Sequence, residues 1–331
     1  MQWNEGFVSS TYASYIDTDT WRDTQRFDIE NGSVALSDSE LRASADFESD
    51  KYLENTEKWI RIWLDASQDS NVEHIALFTG LATSPTVSIN GNVKSQKVSC
   101  YSVLKPVQDV LLPRGWYVLA GTNGLTAIKN LLNVTPAPVN DAGTAPLLQT
   151  NIVAEGNESR LTMINKILDS IGWVMRVLGD GTIDLRPMPT DISTTFEPIE
   201  NDIVQPSLSI TNDWFDCPNV YRAVMDDVSA TARDTSDGAL SIEARGREVW
   251  IEEDGVGLSD NETLAQYAKR KLKEAQRIET TVSYSRRFDP DLHIGDIIQM
   301  KYEQVSGTYR IVSQKFNLGL GQAVDEEVVK I

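Results

Sequence analysis

Four runs of β-forming residues between Trp59 and Val103, joined by short polar links, constrain the fold of this 331-residue chain more than any other stretch. Trp59-Ile60-Arg61-Ile62-Trp63-Leu64-Asp65 is dense in β-branched and aromatic side chains, which suit a half-buried pleated surface. Ile75-Ala76-Leu77-Phe78-Thr79-Gly80 is its expected hairpin partner, across a polar loop from Ala66 to Glu73. Thr86-Val87-Ser88-Ile89 and Lys97 to Val103 flank Asn90-Gly91, a dipeptide that suits the positive φ angles of a tight hairpin turn. Strands in such close succession favour a small antiparallel barrel or sandwich.

Upstream of Glu57 the pattern is weaker. Asp17, Asp19, Asp23 and Asp28 are scattered among aromatics, Asn31-Gly32 reads as a turn, and Val34-Ala35-Leu36 reads as a short strand. Downstream, the character changes around Leu111 to Gly115. Leu125, Ile128 and Leu132 space a short helix over Gly124 to Leu132, and a loop rich in Pro, Ala and Gly follows from Thr135 to Pro146. A second helix is expected from Glu158 to Ile171, capped by Asn157 and stopped by Gly172. Trp173 to Leu178 and Thr182 to Arg186 form a hairpin about Gly179-Asp180-Gly181. Pro187 to Pro206 reads as a connector. A second β-rich block then begins at Ser207, with strands at Asn219 to Val224 and Arg247 to Ile251 and a mobile loop from Ser229 to Ala239.

The stretch from Ser259 to Leu318 reads as helix, strand, loop, strand, strand. Ser259 and Glu262 have the spacing of a capping box, and Leu264, Ala268, Leu272 and Ala275, with Tyr267, form one apolar stripe on an otherwise basic helix. Thr280 to Arg287 is a strand, Phe288-Asp289-Pro290-Asp291 a turn, and Ile297 to Tyr302 and Thr308 to Phe316 are strands joined through Ser306-Gly307. The fold class that results is mainly β with an α+β insertion. Its expected domains are a β domain over residues 1–115, an α+β domain with Pro-rich linkers over 116–205, and a second β domain with one amphipathic helix over 206–331.

Lys+Arg 30 against Asp+Glu 49 gives a net charge of -19, which disfavours tight binding to phosphate backbones or anionic membranes and favours solubility. Cys100 and Cys217 offer neither a disulfide framework nor a zinc pattern. The N-terminus has no signal-peptide pattern, and no run approaches the ~20 apolar residues that span a bilayer, so synthesis and folding in a cytoplasm are expected. His74 and His293 are the only histidines; His293 lies near Asp289 and Asp291 without any accompanying nucleophile, which favours local hydrogen bonding over base catalysis.

No nucleophile elbow or phosphate-binding glycine loop occurs. Asp180-Gly181 with Asp184, and Asp17, Asp19 and Asp23 around Trp21, both lack the periodic ligands of a calcium loop. Acid pairs such as Glu252-Glu253 carry no weight toward a glycosidase, because among 49 acidic residues some pair always qualifies. No catalytic, cofactor-binding or metal-binding residue is expected. The eight tryptophans, among them Trp59 and Trp63 on one strand face, suit core packing before sugar stacking. Lys269-Arg270-Lys271 with Lys273 and Arg277 reads as a solvated helix face or as a surface that docks on an acidic neighbouring copy. Lys269, Arg270, Lys273 and Arg277, together with Asp289, Asp291 and His293, are the candidate subunit interface.

Asn157-Glu158-Ser159 leading to Leu168-Asp169-Ser170-Ile171-Gly172-Trp173, then Gly179-Asp180-Gly181-Thr182-Ile183 and Pro218-Asn219-Val220-Tyr221, resemble the baseplate hub proteins of contractile phage tails. Phe288 to Ile298 with Tyr309-Arg310-Ile311-Val312-Ser313-Gln314-Lys315 is similar to the same group, especially in prophage tails of Gram-positive bacteria. The resemblance covers Leu125 to the C-terminus. It implies two tail-tube-like antiparallel β-barrels per subunit, decorated by a helix and hairpin insertion. It further implies a homotrimer that rings six barrels beneath the tail tube protein, adapts symmetry to a central spike protein and meets other baseplate proteins, without catalytic residues or cofactors. DNA would only pass through the lumen, where acidic side chains oppose adsorption. Two other readings stand beside it. One is the hub portion of a tail-associated lysin, for which the chain ending at Ile331 leaves no room; the other is a receptor-binding module that stacks exposed Trp on host glycans.

Overall fold

The structure is a computed structural model that describes residues 8–39, 41–50, 57–68, 71–90, 93–196, 203–225, 227–254, 263–276, 279–289, 291–301, 305–318 and 323–331. The chain divides into two compact units, Met1–Leu208 with Ser283–Val329, and Ser209–Val282.

The larger unit begins with β1 (Val8–Asp17), β2 (Arg22–Asp28), β3 (Asn31–Ser37), β4 (Ala43–Ser49), β5 (Lys58–Gln68), β6 (Asn71–Ala82), β7 (Thr86–Asn90) and β8 (Val93–Ser102). All pair antiparallel, and the expected hairpins are present: β5 with β6, and β7 with β8. The β5/β6 ladder runs out to Gln68 opposite Asn71, so most of the expected polar loop from Ala66 to Glu73 is strand. Period two sets the packing. Ile60, Ile62, Leu64 and Ala66 are buried, the first three in a core with Phe27, Phe47, Phe78 and Val98, while Trp59, Arg61 and Trp63 take the opposite face. Asn31-Gly32 is not a turn. Gly32 sits in β3 at φ +154° opposite Phe47, where a Cβ would come within 2.1 Å of the Asp46 carbonyl oxygen, so the glycine serves a close approach of two backbones.

The α+β insertion follows: α1 (Lys105–Asp109), β9 (Tyr117–Val118), α2 (Gly124–Leu132), β10 (Val139–Asp141), β11 (Ile152–Val153), α3 (Arg160–Ile171), β12 (Trp173–Val177) and β13 (Ile183–Pro187). Leu125, Ile128 and Leu132 of α2 share a core with Leu161, Ile164, Leu168 and Ile171 of α3, as their spacing predicts. The α3 cap differs from expectation. Ser159, in extended backbone, accepts from the Thr162 amide, whereas Asn157 adopts φ 68° in the turn before it; Gly172 at φ 67° ends the helix as expected. The expected loop after α2 contains β10, which runs parallel to β13 and extends the β12/β13 hairpin to three strands.

The expected connector, Pro187 to Pro206, holds β14 (Ile192–Phe196) and the start of β15 (Ile203–Asp213). In the smaller unit β16 (Val220–Met225), β17 (Val228–Arg233) and β18 (Trp250–Glu253) form a sheet in the order β17-β16-β18, with α4 (Ile242–Arg245) and α5 (Leu264–Ala275). The residues expected as a mobile loop from Ser229 therefore begin as strand; Ala230 and Ala232 face α5 and are too small to advertise a buried side. Leu264, Tyr267, Ala268 and Leu272 pack on Tyr221 and Ala223, the stripe that the sequence predicts. Ser259 and Glu262 lie outside the described residues. A reciprocal box forms instead at Thr263 and Gln266, whose amide donates to the Thr263 hydroxyl at 3.3 Å while its side-chain oxygen accepts from the Thr263 amide at 2.9 Å.

The chain closes with β19 (Glu279–Arg287), β20 (Ile297–Lys301), β21 (Ser306–Leu318) and β22 (Ala323–Lys330). Ser306 and Gly307 already pair with Lys301 and Met300 and so belong to a strand rather than a turn. Pro290 of the expected turn and Gly91 of the Asn90-Gly91 pair lie outside the described residues. β21 pairs with β3 from Ser313 opposite Ser37 to Leu318 opposite Gly32. That seam joins the two ends of the chain in one strand order, β19-β22-β21-β3-β4-β8-β6-β5-β1-β2, with β20 and β14 branching from β21 and β15 beyond β19. The fold is mainly β with the α+β insertion expected. Among the described residues the order stays open, with no separately closed barrel.

Candidate interface elements

On α5 the docked stripe leaves Lys269, Arg270 and Lys273 exposed together. Arg270 and Lys271 stand 5.0 Å and 5.7 Å from the Tyr267 ring centroid, within cation–π reach. The helix is fixed from below, because the Tyr267 hydroxyl lies 3.0 Å from each Glu253 carboxylate oxygen and the Tyr221 hydroxyl donates to the same group. Arg277 lies outside the described residues.

The loop from Asp289 to Gly295 belongs to the larger unit, and it is held from inside. The Asp291 amide donates to Asp289 Oδ1 at 3.0 Å, His293 Nδ1 lies 3.1 Å from the Asp291 carbonyl oxygen, and the His293 amide donates to Asp296 Oδ2 at 2.9 Å. Asp296 Oδ1 accepts from Arg176 Nη2 of β12 at 2.8 Å, in an ion pair whose side chains are 7% and 11% exposed. Gly295, at φ +84°, donates its amide to Ile311 at 2.7 Å. Asp289 and His293 are half-buried and Asp291 is exposed. Asp296 and Arg176, which bind this loop to the insertion, are not among the expected residues.

A second junction was also invisible in the sequence. The turn Gly179-Asp180-Gly181 presses on the outer face of β5 and β6, where a Cβ on Gly179 would lie 1.8 Å from the Ala76 carbonyl oxygen. Arg61, 5% exposed, ties the site together: Nε donates to Thr79 Oγ1 at 2.9 Å, Nη1 to Asp23 at 2.8 Å and Nη2 to the Asp180 carbonyl at 2.9 Å. Trp21 Nε1 donates to the same carbonyl at 3.0 Å, and the Thr79 hydroxyl to Gly179 at 2.8 Å. Asp180 therefore works as a turn residue, its side chain accepting from the Thr182 amide at 2.9 Å. Asp23 takes Arg61 and, at 2.9 Å, the Trp63 indole.

A third polar cluster locks β19, β21 and β22. Glu326 accepts from Arg286 at 3.0 Å and 2.6 Å, from Gln314 at 2.8 Å and from the Tyr284 hydroxyl. Burial works to lower the Arg286 pKa, but the adjoining Glu326 charge and hydrogen bonds outweigh it and hold the pKa above its ordinary value.

Among the tryptophans, Trp59 packs beside Trp21 against the insertion core, Trp63 stacks on Tyr12 with centroids 6.4 Å apart, Trp173 is buried, and Trp214 and Trp250 are exposed. Among the described residues no group of three His, Cys, Asp or Glu is placed to hold a metal ion, and no helix is long and apolar enough to cross a membrane.

This fold, a largely antiparallel sheet with an α+β insertion together with a small helix-covered sheet, is similar to that of solved phage tail proteins. The 43 kDa tail protein of prophage MuSo2 from Shewanella oneidensis has the same fold with a TM-score of 0.70 at 10% identity, over 98% of this chain and 97% of that one. The tail protein of Neisseria meningitidis MC58 gives 0.66 at 14% identity, over 97% and 96%. A chain of the Francisella PdpA-VgrG complex gives 0.59 at 9% identity, over 98% of this chain and 58% of that one. No protein-family model and no curated protein matches the chain.

Proposed function

We propose that this protein is a structural hub of a phage tail baseplate or tail-like particle. It forms a homotrimeric ring whose two β lobes per subunit, curved into tube-like barrels, continue the tail tube and pass to the central spike, with other baseplate proteins around it. The observation that carries this reading is the end-to-end fold likeness to a prophage tail protein, 98% of one chain over 97% of the other. The β3/β21 seam supports it, since within the larger unit one sheet joins strands from early and late in the chain. The polar clusters at Arg61, Arg176 and Arg286 brace neighbouring elements against one another, a use that suits a ring under mechanical stress.

In this reading the exposed Lys269, Arg270 and Lys273, with the loop Asp289 to His293, meet neighbouring subunits, and charge complementarity draws the basic helix face to an acidic surface of a protein of net charge -19. Acidic groups lining the lumen keep DNA from adsorbing during passage. The protein ends in the particle, with no enzymatic step of its own.

Light scattering on the purified protein, alone and mixed with the tail tube and spike proteins of the same particle, tests the proposal. A trimer that co-assembles with both is the expected result. A monomer that joins neither and instead gives strong hits on a glycan array, through the exposed Trp214 and Trp250, would replace the hub by a receptor-binding module. Lumen-facing Asp or Glu changed to Lys should slow DNA ejection, and an unchanged rate removes the lumen argument.

A further inference from the structure

A cavity of about 360 Å³ lies in the larger unit where α3, β12 and the loop before β20 meet. Three arginines from separate parts of the chain line it: Arg42 before β4, Arg176 on β12 and Arg310 on β21. The Nε–H of each is sealed from solvent and has no hydrogen-bond partner, which is costly for a buried donor and uncommon even once in a small region. Arg176 has its charge met by Asp296. Arg42 does not meet a carboxylate directly. It donates to the Asp38 backbone carbonyl and, at 3.1 Å, to the Asn165 side-chain oxygen, and burial holds its pKa below the ordinary guanidinium value.

The remaining lining decides what such a donor cluster takes. Trp173, Met188 and Ile294 give the cavity apolar walls, and a volume of about 360 Å³ is that of a small ligand site. Asp38 and Asp169 also line it, so a dianion such as phosphate would meet two like charges. A single carboxylate meets half of that repulsion, and its two oxygens match the planar fork of a guanidinium.

We propose that this cavity is a binding site for a carboxylate borne on an apolar body, in the manner of an N-acylated hydrophobic amino acid, with the Arg42 and Arg310 guanidinium groups forming its cationic wall and Trp173 and Met188 holding the apolar part. The site does not rest on the hub reading.

Isothermal titration of the full chain with N-acetyl-leucine, N-acetyl-leucinamide and inorganic phosphate tests it. The acid binds at least tenfold more tightly than the amide and than phosphate, and Arg310→Gln weakens acid binding at least tenfold while leaving the circular-dichroism melt in place. Met188→Trp, which fills the cavity from its apolar wall, weakens the acid as well and serves if the arginine variant does not fold. Equal binding of acid and amide, equal binding of phosphate, or no heat from the acid up to its solubility limit would each overturn the proposal.

Discussion

Replacing Glu326 by leucine removes the acceptor of the buried cluster and strands a cation. Its side chain is fully buried, and Arg286 beside it is 2% exposed, so no water can take over the two guanidinium hydrogen bonds at 3.0 Å and 2.6 Å. Gln314 keeps one partner, the Leu292 carbonyl at 3.2 Å, but the Tyr284 hydroxyl loses the one it shares with Glu326. Breaking a buried pair from one side costs about 3–5 kcal/mol, most of it the uncompensated charge. With a urea slope of about 3 kcal/mol/M, the unfolding midpoint of the larger unit should fall by about 1–1.7 M in Glu326→Leu. Arg286→Met added to it removes the stranded charge and should restore stability to within about 2 kcal/mol of wild type, because apolar replacement of a whole buried pair is often neutral. Urea titrations followed by tryptophan fluorescence measure all three proteins. If the double variant is as unstable as Glu326→Leu, the cost lies in packing rather than in the buried cation, and the argument is wrong.

Three further outcomes are expected. Gly179→Ala puts a Cβ 1.8 Å from the Ala76 oxygen, so the turn must lift off β6, at a cost of about 3 kcal/mol that a thermal melt would read as a lowered midpoint. The pair Lys269→Glu and Lys273→Glu reverses the exposed face of α5 without touching its buried stripe, and should shift the proposed trimer toward monomer in light scattering at an unchanged melting temperature. The Asp234 carboxyl has its pKa lowered by the hydrogen bonds of Ser236 and, across to α5, of Gln276. A depressed carboxylate contributes stability above its unfolded pKa of about 3.9 and loses it as pH falls through the folded value; acid titration by circular dichroism should therefore show a shallower loss below that range in Asp234→Asn.

What could be read from the sequence depended on how loudly each element states its buried face. β5 to β8 were legible because Ile60, Ile62 and Leu64 alternate with other residues and because their links are short. β4, Ala43–Ser49, alternates just as cleanly in burial, yet two of its inward residues, Ala43 and Ala45, are small, so only Phe47 signals. β22 is illegible in the sequence for the opposite reason: Glu326 points inward, and a strand with a glutamate on its core side does not look like one until Arg286 is placed beside it. The sequence points to an α3 cap two residues early because Asn157 and Ser159 are both cap formers, and only backbone geometry separates the residue at positive φ from the one in extended conformation. The basic face of α5 followed from helical spacing alone. Its Thr263 box, the Arg176–Asp296 pair and the three arginines of the cavity did not, the first because a second box competed upstream, the others because partners far apart in sequence leave no local pattern.

The β3/β21 seam also sets a timetable for synthesis. Strand Asn31–Ser37 leaves the ribosome about 270 residues ahead of its partner Ser306–Leu318. At about 5–20 residues per second the free side of β3 waits tens of seconds, carrying a row of unpaired backbone donors and acceptors next to a hydrophobic core. A nascent chain of this protein is for that interval an open template for strand addition, so overproduction would favour pairing between chains before pairing within one. Slower initiation, lower temperature or a chaperone that covers that edge should raise the yield of soluble protein more than any change to the finished fold.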